Sequence, residues 1–250
     1  MTKKITTLLA LGFCFSVLPL SLSAQEYVIP ANTPAHIRLA VENTQRSMED
    51  TQRDAIRKPA EVLTLADINV GDHVIELSAL GQYYSTMLVQ AIGQSGRLDM
   101  YDLPPWQRFG ADTNGMAFSD AYSNTSYTMA YYHEADYDSN VDAVFNILSY
   151  HDLPFTGVDT AAMNARIYAA LRSGGNYVII DHKAADGTGW TTSEALHRVD
   201  PQVIIDEVTA AGFVLVSNSN LLANPNDDKS STAFSAGGNT DRAVLVFQKP

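Results

Sequence analysis

The chain has 250 residues, with 16 lysines and arginines against 28 aspartates and glutamates, a formal net charge of −12. Such an acidic surface repels phosphate backbones and anionic lipid, so neither nucleic acid nor a membrane surface is an expected partner. The single cysteine, Cys14, falls in a segment expected to be removed, which excludes disulfides, thiolate metal sites and a cysteine nucleophile from the mature chain.

Residues 1–24 read as a signal peptide. Lys3 and Lys4 precede the apolar run "ITTLLALGFCFSVLPL", and "SLSA" supplies small residues before an expected cut after Ala24. The run is too short and wrongly flanked for a membrane anchor. The expectation is export, to the periplasm or out of the cell, as a chain with 14 basic and 28 acidic residues once Lys3 and Lys4 are gone. Residues 25–60 read as an N-terminal covering segment and 61–250 as one domain, since no low-complexity linker divides them. The stretch 35–58, "AHIRLAVENTQRSMEDTQRDAIRK", predicts a helix stopped by Pro59. Arg46, Asp50, Arg53 and Arg57 recur at spacings of four, three and four, so they share a face and can pair. Their expected role is a salt-bridged cover rather than a ligand contact.

From Gly71 onward strand-like and helix-like segments alternate. "HVIELSA", "RLDMYDL", "SYTMAYYH", "VDAVFNILSY", "NYVIIDH", "FVLVSNS" and "RAVLVFQK" predict seven strands, the first of them near-continuously apolar as in a parallel sheet covered on both faces. "YYSTMLVQAIG" predicts a helix, and the stretch through Trp106 and Met116 reads as irregular and weakly helical. A further helix follows Asp159 as cap, with Met163, Ile167 and Leu171 recurring every four residues and Gly174 at its end. Another opens with Asp200 as cap and Pro201 at its first position, and stops at Gly212. The pattern predicts one doubly wound α/β domain. The segment 221–240, "LLANPNDDKSSTAFSAGGNT", is long for a loop in such a domain and reads as either functional or disordered.

Taken together, "LADINVGDHVIEL", the strand-turn-helix at 74–85, "NILSYHDL", "GGNYVIIDHKAADGTG", "LHRVDP", "AAGF", "LLANPNDD" and "TDRAVLVFQK" resemble class I S-adenosylmethionine-dependent methyltransferases. More narrowly they resemble an exported branch of predicted methyltransferases. The resemblance implies a Rossmann-like, mostly parallel seven-stranded sheet in the order 3-2-1-4-5-7-6 with the last strand antiparallel. It also implies S-adenosylmethionine as cofactor, held by Glu76, Ser78, Gly81, Tyr83 and, at the ribose, Asp102. Leu80 and Gln82 depart from the pattern, which has glycine there to let the backbone approach the cofactor. A side chain at Leu80 would also strain any positive φ. Export adds a second departure, because S-adenosylmethionine is made in the cytosol.

In open α/β sheets ligands bind beyond the carboxyl ends of the strands. His151, Asp152, Asp181, His182 and His197 are therefore expected to converge, with His182 most central and Asp200 nearby. His151, His182 and Asp152 are the candidate catalytic residues, an imidazole taking a proton from a hydroxyl acceptor. The bland alternative is that the aspartates cap helices and the histidines bridge loops. "GGNYVIIDH" is similar to a segment of catechol-type O-methyltransferases that binds magnesium, but His182 replaces the asparagine there. No divalent metal is expected, the candidates for one being Asp152, Asp181 and His182. Tyr83, Tyr84, Trp106, Tyr131, Tyr132 and Tyr150 could line a pocket or belong to the core. A small-molecule ligand is the expected partner; the alternative to an enzyme is an inactive protein holding another small molecule in the same crevice. Oligomeric state is not legible.

Overall fold

The computed structural model describes residues 26–250; the signal-peptide reading and Cys14 lie outside the described residues. Seven strands form one sheet: β1 (His73–Leu77), β2 (Arg97–Asp102), β3 (Thr125–Met129), β4 (Val141–Ile147), β5 (Leu171–His182), β6 (Val214–Ser219) and β7 (Arg242–Gln248). Their order is β3-β2-β1-β4-β5-β7-β6. β1 to β5 pair in parallel, and β7 runs antiparallel between β5 and β6. This is the order and the antiparallel last strand that the resemblance implied. Among the described residues, no helix is long and apolar enough to cross a membrane.

Both faces of the sheet are covered, because adjacent apolar residues of its central strands point to opposite faces. In β1, Val74 joins the cluster with Ile37, Leu63 and Leu88, while Ile75 and Leu77 join the one with Met163, Ile204 and Val208. The first cluster lies under α1 (Ala35–Val41), α4 (Pro59–Leu65) and α5 (Ser85–Ala91); the second lies under α7 (Thr160–Ala170) and α9 (Pro201–Ala210). Each fully buried aliphatic side chain contributes about 1.5–3 kcal/mol. As the sequence indicated, Asp159 and Asp200 cap α7 and α9, accepting from the backbone of Ala162 and Gln202.

The N-terminal segment departs from the expected single helix. It is broken into α1, α2 (Met48–Gln52), α3 (Asp54–Arg57) and α4. Pro59 opens α4 instead of ending a helix, since proline suits a first turn, and Lys58 makes the break at φ 44°. The break also changes the pairing. Arg53 still meets Asp50, but Arg46 reaches Asp54 through two bonds of 2.6 and 2.8 Å, with both side chains buried. The expected boundary at residue 60 thus falls inside α4.

The stretch read as irregular is a 3-10 turn, Pro104–Phe109, followed by an eleven-residue helix, α6 (Ala111–Ala121). Gly115 weakens its sequence signal, yet a Cβ there would lie 2.1 Å from the Tyr127 ring. The glycine is a packing requirement. β3 and β4 end at Met129 and Ile147, earlier than their apolar patterns suggest. α7 ends at Ala170, so Gly174 falls within β5 and does not close the helix.

Candidate functional site

A crevice of about 770 Å³ opens beyond the carboxyl ends of β1, β4 and β5, a volume suited to a small molecule. One wall is the turn after β1. Ser78, Gly81 and Gln82 there have φ of 67°, 87° and 49°. The strain expected at Leu80 falls instead on Ser78 and Gln82. Ser78 is held by the Tyr132 hydroxyl, which accepts its N–H at 2.9 Å and lies 3.2 Å from its Oγ. A Cβ on Gly81 would meet nothing within 4 Å, so a ligand has room against that backbone. Leu80 lines the crevice and is 39 % exposed.

Glu76 reaches the crevice wall from β1 and accepts from Ser85 Oγ at 2.5 Å. Burial, with help from the charge of Asp102, pushes its pKa up to about 8. Asp102 does not line the crevice, against expectation. It is fully buried, and its carboxylate accepts the Leu80 N–H at 3.1 Å and the Tyr127 hydroxyl at 3.2 Å. Burial raises its pKa to about 7. The acceptor expected for a ribose is thus engaged by the protein's own loop.

The covering segment contributes a second wall that the sequence reading assigned to salt bridges alone. Arg57 and Arg242 both line the crevice, and neither has a carboxylate within 4.0 Å among the described residues. Arg57 stacks over Tyr83 at 4.5 Å, and Tyr83 donates its hydroxyl to Asp54 at 2.6 Å. Burial depresses both guanidinium pKa values, and proximity to Arg57 adds to the effect on Arg242, which falls to about 10. Arg242 is buried and donates to the Thr240 hydroxyl and the Ile56 and Gly238 carbonyls. Half-buried Arg57 keeps its Nε without a hydrogen bond, so it is the freer of the two cations toward an anion. Arg242 could have been found only by knowing that it sits opposite His182 in the β5–β7 register.

The third wall is the histidine group. His151 is 3 % exposed, in the 3-10 turn Tyr150–Phe155 after β4. Asp181, at the end of β5, accepts the His151 backbone N–H at 2.8 Å and Nδ1–H at 2.6 Å, and the His182 backbone N–H at 2.7 Å. Burial opposes charge on the His151 ring, but Asp181 more than offsets it, and the imidazole pKa is raised. The same pairing holds Asp181 below its ordinary value despite burial. His182 lies 5.6 Å away, ring to ring, with Nδ1 on Thr240 Oγ1 at 2.6 Å. Burial, opposed by Asp181 but reinforced by His151 and Arg242, drives its pKa down to about 3. Asp152 bonds His197 Nδ1 at 2.8 Å and stands 3.4 Å from His151 Nε2.

Four of the five converging residues therefore line the crevice: His151, Asp152, His182 and His197. His151 holds the centre, not His182, since it alone touches the other three side chains and Asp181. Asp181 stands behind it and Asp200 is remote, occupied by the α9 cap and by the Gly187 N–H at 2.7 Å. Tyr83, Tyr84 and Trp106 line the crevice. Tyr132 and Tyr150 belong to the second core cluster, Tyr131 packs on its margin, and none of the three lines the crevice.

The 221–240 loop is folded over the same opening. Arg198 at zero exposure clamps Asp227 with two bonds of 2.7 and 3.1 Å, and Asp227 in turn accepts the Asp241 N–H at 2.6 Å. This brings Ala233, Phe234, Gly237 and Gly238 to the crevice. Phe234 packs on the His197 ring at 4.5 Å.

The residues present fit S-adenosylmethionine at the amino-acid end, where Arg57, Arg242, Glu76 and Gly81 face the cavity. They do not fit it at the ribose end, where Asp102 is withdrawn and Leu80 projects. The expected metal candidates also separate: Asp152 groups with His151 and His197 rather than with Asp181 and His182.

No protein-family model matches the chain, and no curated protein matches it in sequence. Solved structures do share its fold. A SAM-dependent methyltransferase from Aquifex aeolicus superposes with a TM-score of 0.59 at 14% identity, covering 78% of this chain and 92% of that one. A geranyl diphosphate C-methyltransferase from Streptomyces coelicolor A3(2) gives 0.56 at 14%, covering 85% and 89%. The [4+2]-cyclase SpnF gives 0.56 at 16%, covering 84% and 85%. The chain thus has the seven-stranded methyltransferase fold, and at these identities the likeness speaks for the fold.

Proposed function

We propose that the protein is an S-adenosylmethionine-dependent methyltransferase of the cell envelope that acts on a small molecule and holds its cofactor weakly. The observation that carries this reading is the crevice itself. At the ligand-binding edge of a methyltransferase fold it gathers Arg57 and Arg242, neither with a carboxylate partner among the described residues, and beside Arg242 the histidine group built on the buried His151–Asp181 pair. Arg57 and Arg242 suit the carboxylate of the cofactor's amino-acid part, with Glu76, Ser78, Gly81 and Tyr83 beside it. When bound, the cofactor supplies an electrophilic methyl group. Asp181 fixes the proton of His151 on Nδ1, which leaves Nε2 to accept a proton from a hydroxyl on the acceptor. The raised imidazole pKa makes it the stronger base of the two buried histidines, since His182 is held neutral. His182 and Asp152 then orient the acceptor by hydrogen bonds. The signal peptide read in residues 1–24 supports export, which requires a cofactor supplied from the cytosol.

One observation favours a second reading. The Leu80 N–H on Asp102 closes the ribose place, as in a protein that kept the crevice but binds a different carboxylate-bearing molecule. Calorimetry of the mature protein with S-adenosylmethionine and S-adenosylhomocysteine separates the two. Measurable binding of either supports the methyltransferase. No binding of both, with a carboxylate-bearing compound recovered by mass spectrometry from protein purified out of its own compartment, supports the second reading and overturns the first.

A further inference from the structure

We propose that His151, Asp152 and His197 form a binding site for a divalent transition-metal ion, with its open coordination positions facing the crevice. The inference rests on the crevice being the ligand site and not on the cofactor proposed for it.

The argument begins with protons. Asp181 accepts two backbone N–H groups as well as His151 Nδ1, so it acts there as an acceptor and the Nδ1 carries the hydrogen. The other ring nitrogen, Nε2, is the one turned away from Asp181. It faces Asp152 Oδ1 at 3.4 Å, and the same oxygen lies 2.8 Å from His197 Nδ1. An imidazole lone pair and a carboxylate oxygen do not bond to each other; a cation between them satisfies both. The three ligand atoms all lie within 4.8 Å of one another. Closing on an ion at about 2.1 Å from each requires side-chain movements on the order of an ångström. Asp152 and His197 retain side-chain exposures of 25 % and 30 %, which leaves them free to make that movement.

Two imidazoles and one carboxylate suit zinc or iron(II) rather than magnesium or calcium, which prefer oxygen. The surrounding structure has the features of a supported site. The Asp181 carboxylate behind His151 is the usual outer partner of a metal-binding imidazole, fixing its tautomer and direction. His197 adopts φ 52°, ψ 52° at the end of the short helix α8 (Ser193–Leu196), a left-handed conformation uncommon for a side-chain-bearing residue. Its neighbour Arg198, clamped on Asp227, holds that turn in place, and Phe234 covers the ring. A second group of suitable residues, His73, Asp99 and Asp138, already has its own cation. Arg97 bonds both aspartates there, at 2.9 and 2.7 Å.

With three protein ligands the ion keeps positions for an oxygen of the small molecule in the crevice. This specifies the ligand class: a compound with a hydroxyl or carboxylate oxygen close to the transferred or recognised group. The ion takes the lone pair that His151 otherwise uses as a base, and its charge acidifies a bound hydroxyl in place of the imidazole.

The test uses zinc on chelator-stripped mature protein. Calorimetry is expected to show one ion per chain with a dissociation constant below about 10 μM. His197→Ala, on a partly exposed ring, keeps the fold and is expected to weaken zinc binding by at least about a hundredfold. Asp181→Asn is expected to weaken it by about 10–100-fold. His73→Ala is the control and leaves it unchanged. Absence of one-to-one binding at 100 μM zinc, on the order of −5.5 kcal/mol, overturns the proposal and leaves a proton as the cation between His151 and Asp152. Binding that survives His197→Ala, or is lost in His73→Ala, overturns it as well. Zinc and S-adenosylmethionine are titrated separately, so failure of one does not read as failure of the other.

Discussion

The backbone N–H of Leu80 donates to the Asp102 carboxylate at 3.1 Å, so the loop that should open toward a cofactor is tied down onto the strand beneath it. Asp102 is left with no exposed surface. A ligand that needs this carboxylate must first break that bond and displace the Leu80 side chain.

The expected consequence is a dissociation constant for S-adenosylmethionine above about 100 μM, or binding weaker than about −5.5 kcal/mol. Replacing both Leu80 and Gln82 by glycine clears the crevice and relieves the left-handed backbone at Gln82. Calorimetry should then show binding at least about tenfold tighter, about 1.4 kcal/mol. Low-micromolar binding to the parent would show that the loop is no obstacle.

Glu76 and Asp102 both keep their protons in the folded protein well above the pH at which an unfolded chain releases them, at about 8 against 4.5 and about 7 against 3.8. Across that window the folded state binds more protons, so their contribution to stability is fully present at the acid edge and is lost as pH rises to about 8. Glu76→Gln removes one of the two. Urea denaturation should show this variant gaining stability relative to the parent between pH 5 and pH 8; a constant difference would mean the Glu76 carboxyl is already ionised at pH 5.

Arg198→Ala leaves Asp227 without its buried guanidinium, a loss of about 3–5 kcal/mol for a broken buried pair. Because Asp227 anchors the 221–240 loop, limited proteolysis should cut that loop faster than in the parent. Unchanged cleavage would mean the remaining backbone contacts hold it unaided.

His182→Ala removes the bond to Thr240 but few core contacts, at a cost of about 1 kcal/mol. Thermal melting should barely move, while mass spectrometry should find the small molecule no longer retained. A large fall in melting temperature would instead mark His182 as a bridge between β5 and β7.

Much of this architecture was legible where the controlling interactions are local. Asp159 and Asp200 cap helices through residues three and two positions on, and near-continuous apolar runs such as Val74 and Ile75 place the sheet. The strand order came from resemblance, because nothing local in β7 says that it inserts between β5 and β6. Convergence of His151, Asp152, His182 and His197 followed from strand ends meeting on one edge. The detail failed where contacts cross a break or a long separation. Arg46 pairs with Asp54 only because α2 and α3 bend the chain back. Asp102 looked available because the sequence does not reveal the Leu80 N–H that it accepts. Arg57 looked like a surface charge because its neighbour Arg242 lies 185 positions away in the sequence.

The Arg57–Arg242 pair sits within a molecule whose formal net charge is −12, and this gives entry of a carboxylate-bearing anion, the ligand of the second reading, an unusual kinetic signature. An anion approaching from bulk solution meets repulsion first and attraction only inside the mouth. Physiological salt screens interactions beyond about 8 Å but leaves short, desolvated contacts largely intact. Added salt therefore speeds the arrival of an anionic ligand while changing its rate of departure little. That is the reverse of the salt dependence of a steered encounter, in which screening slows capture.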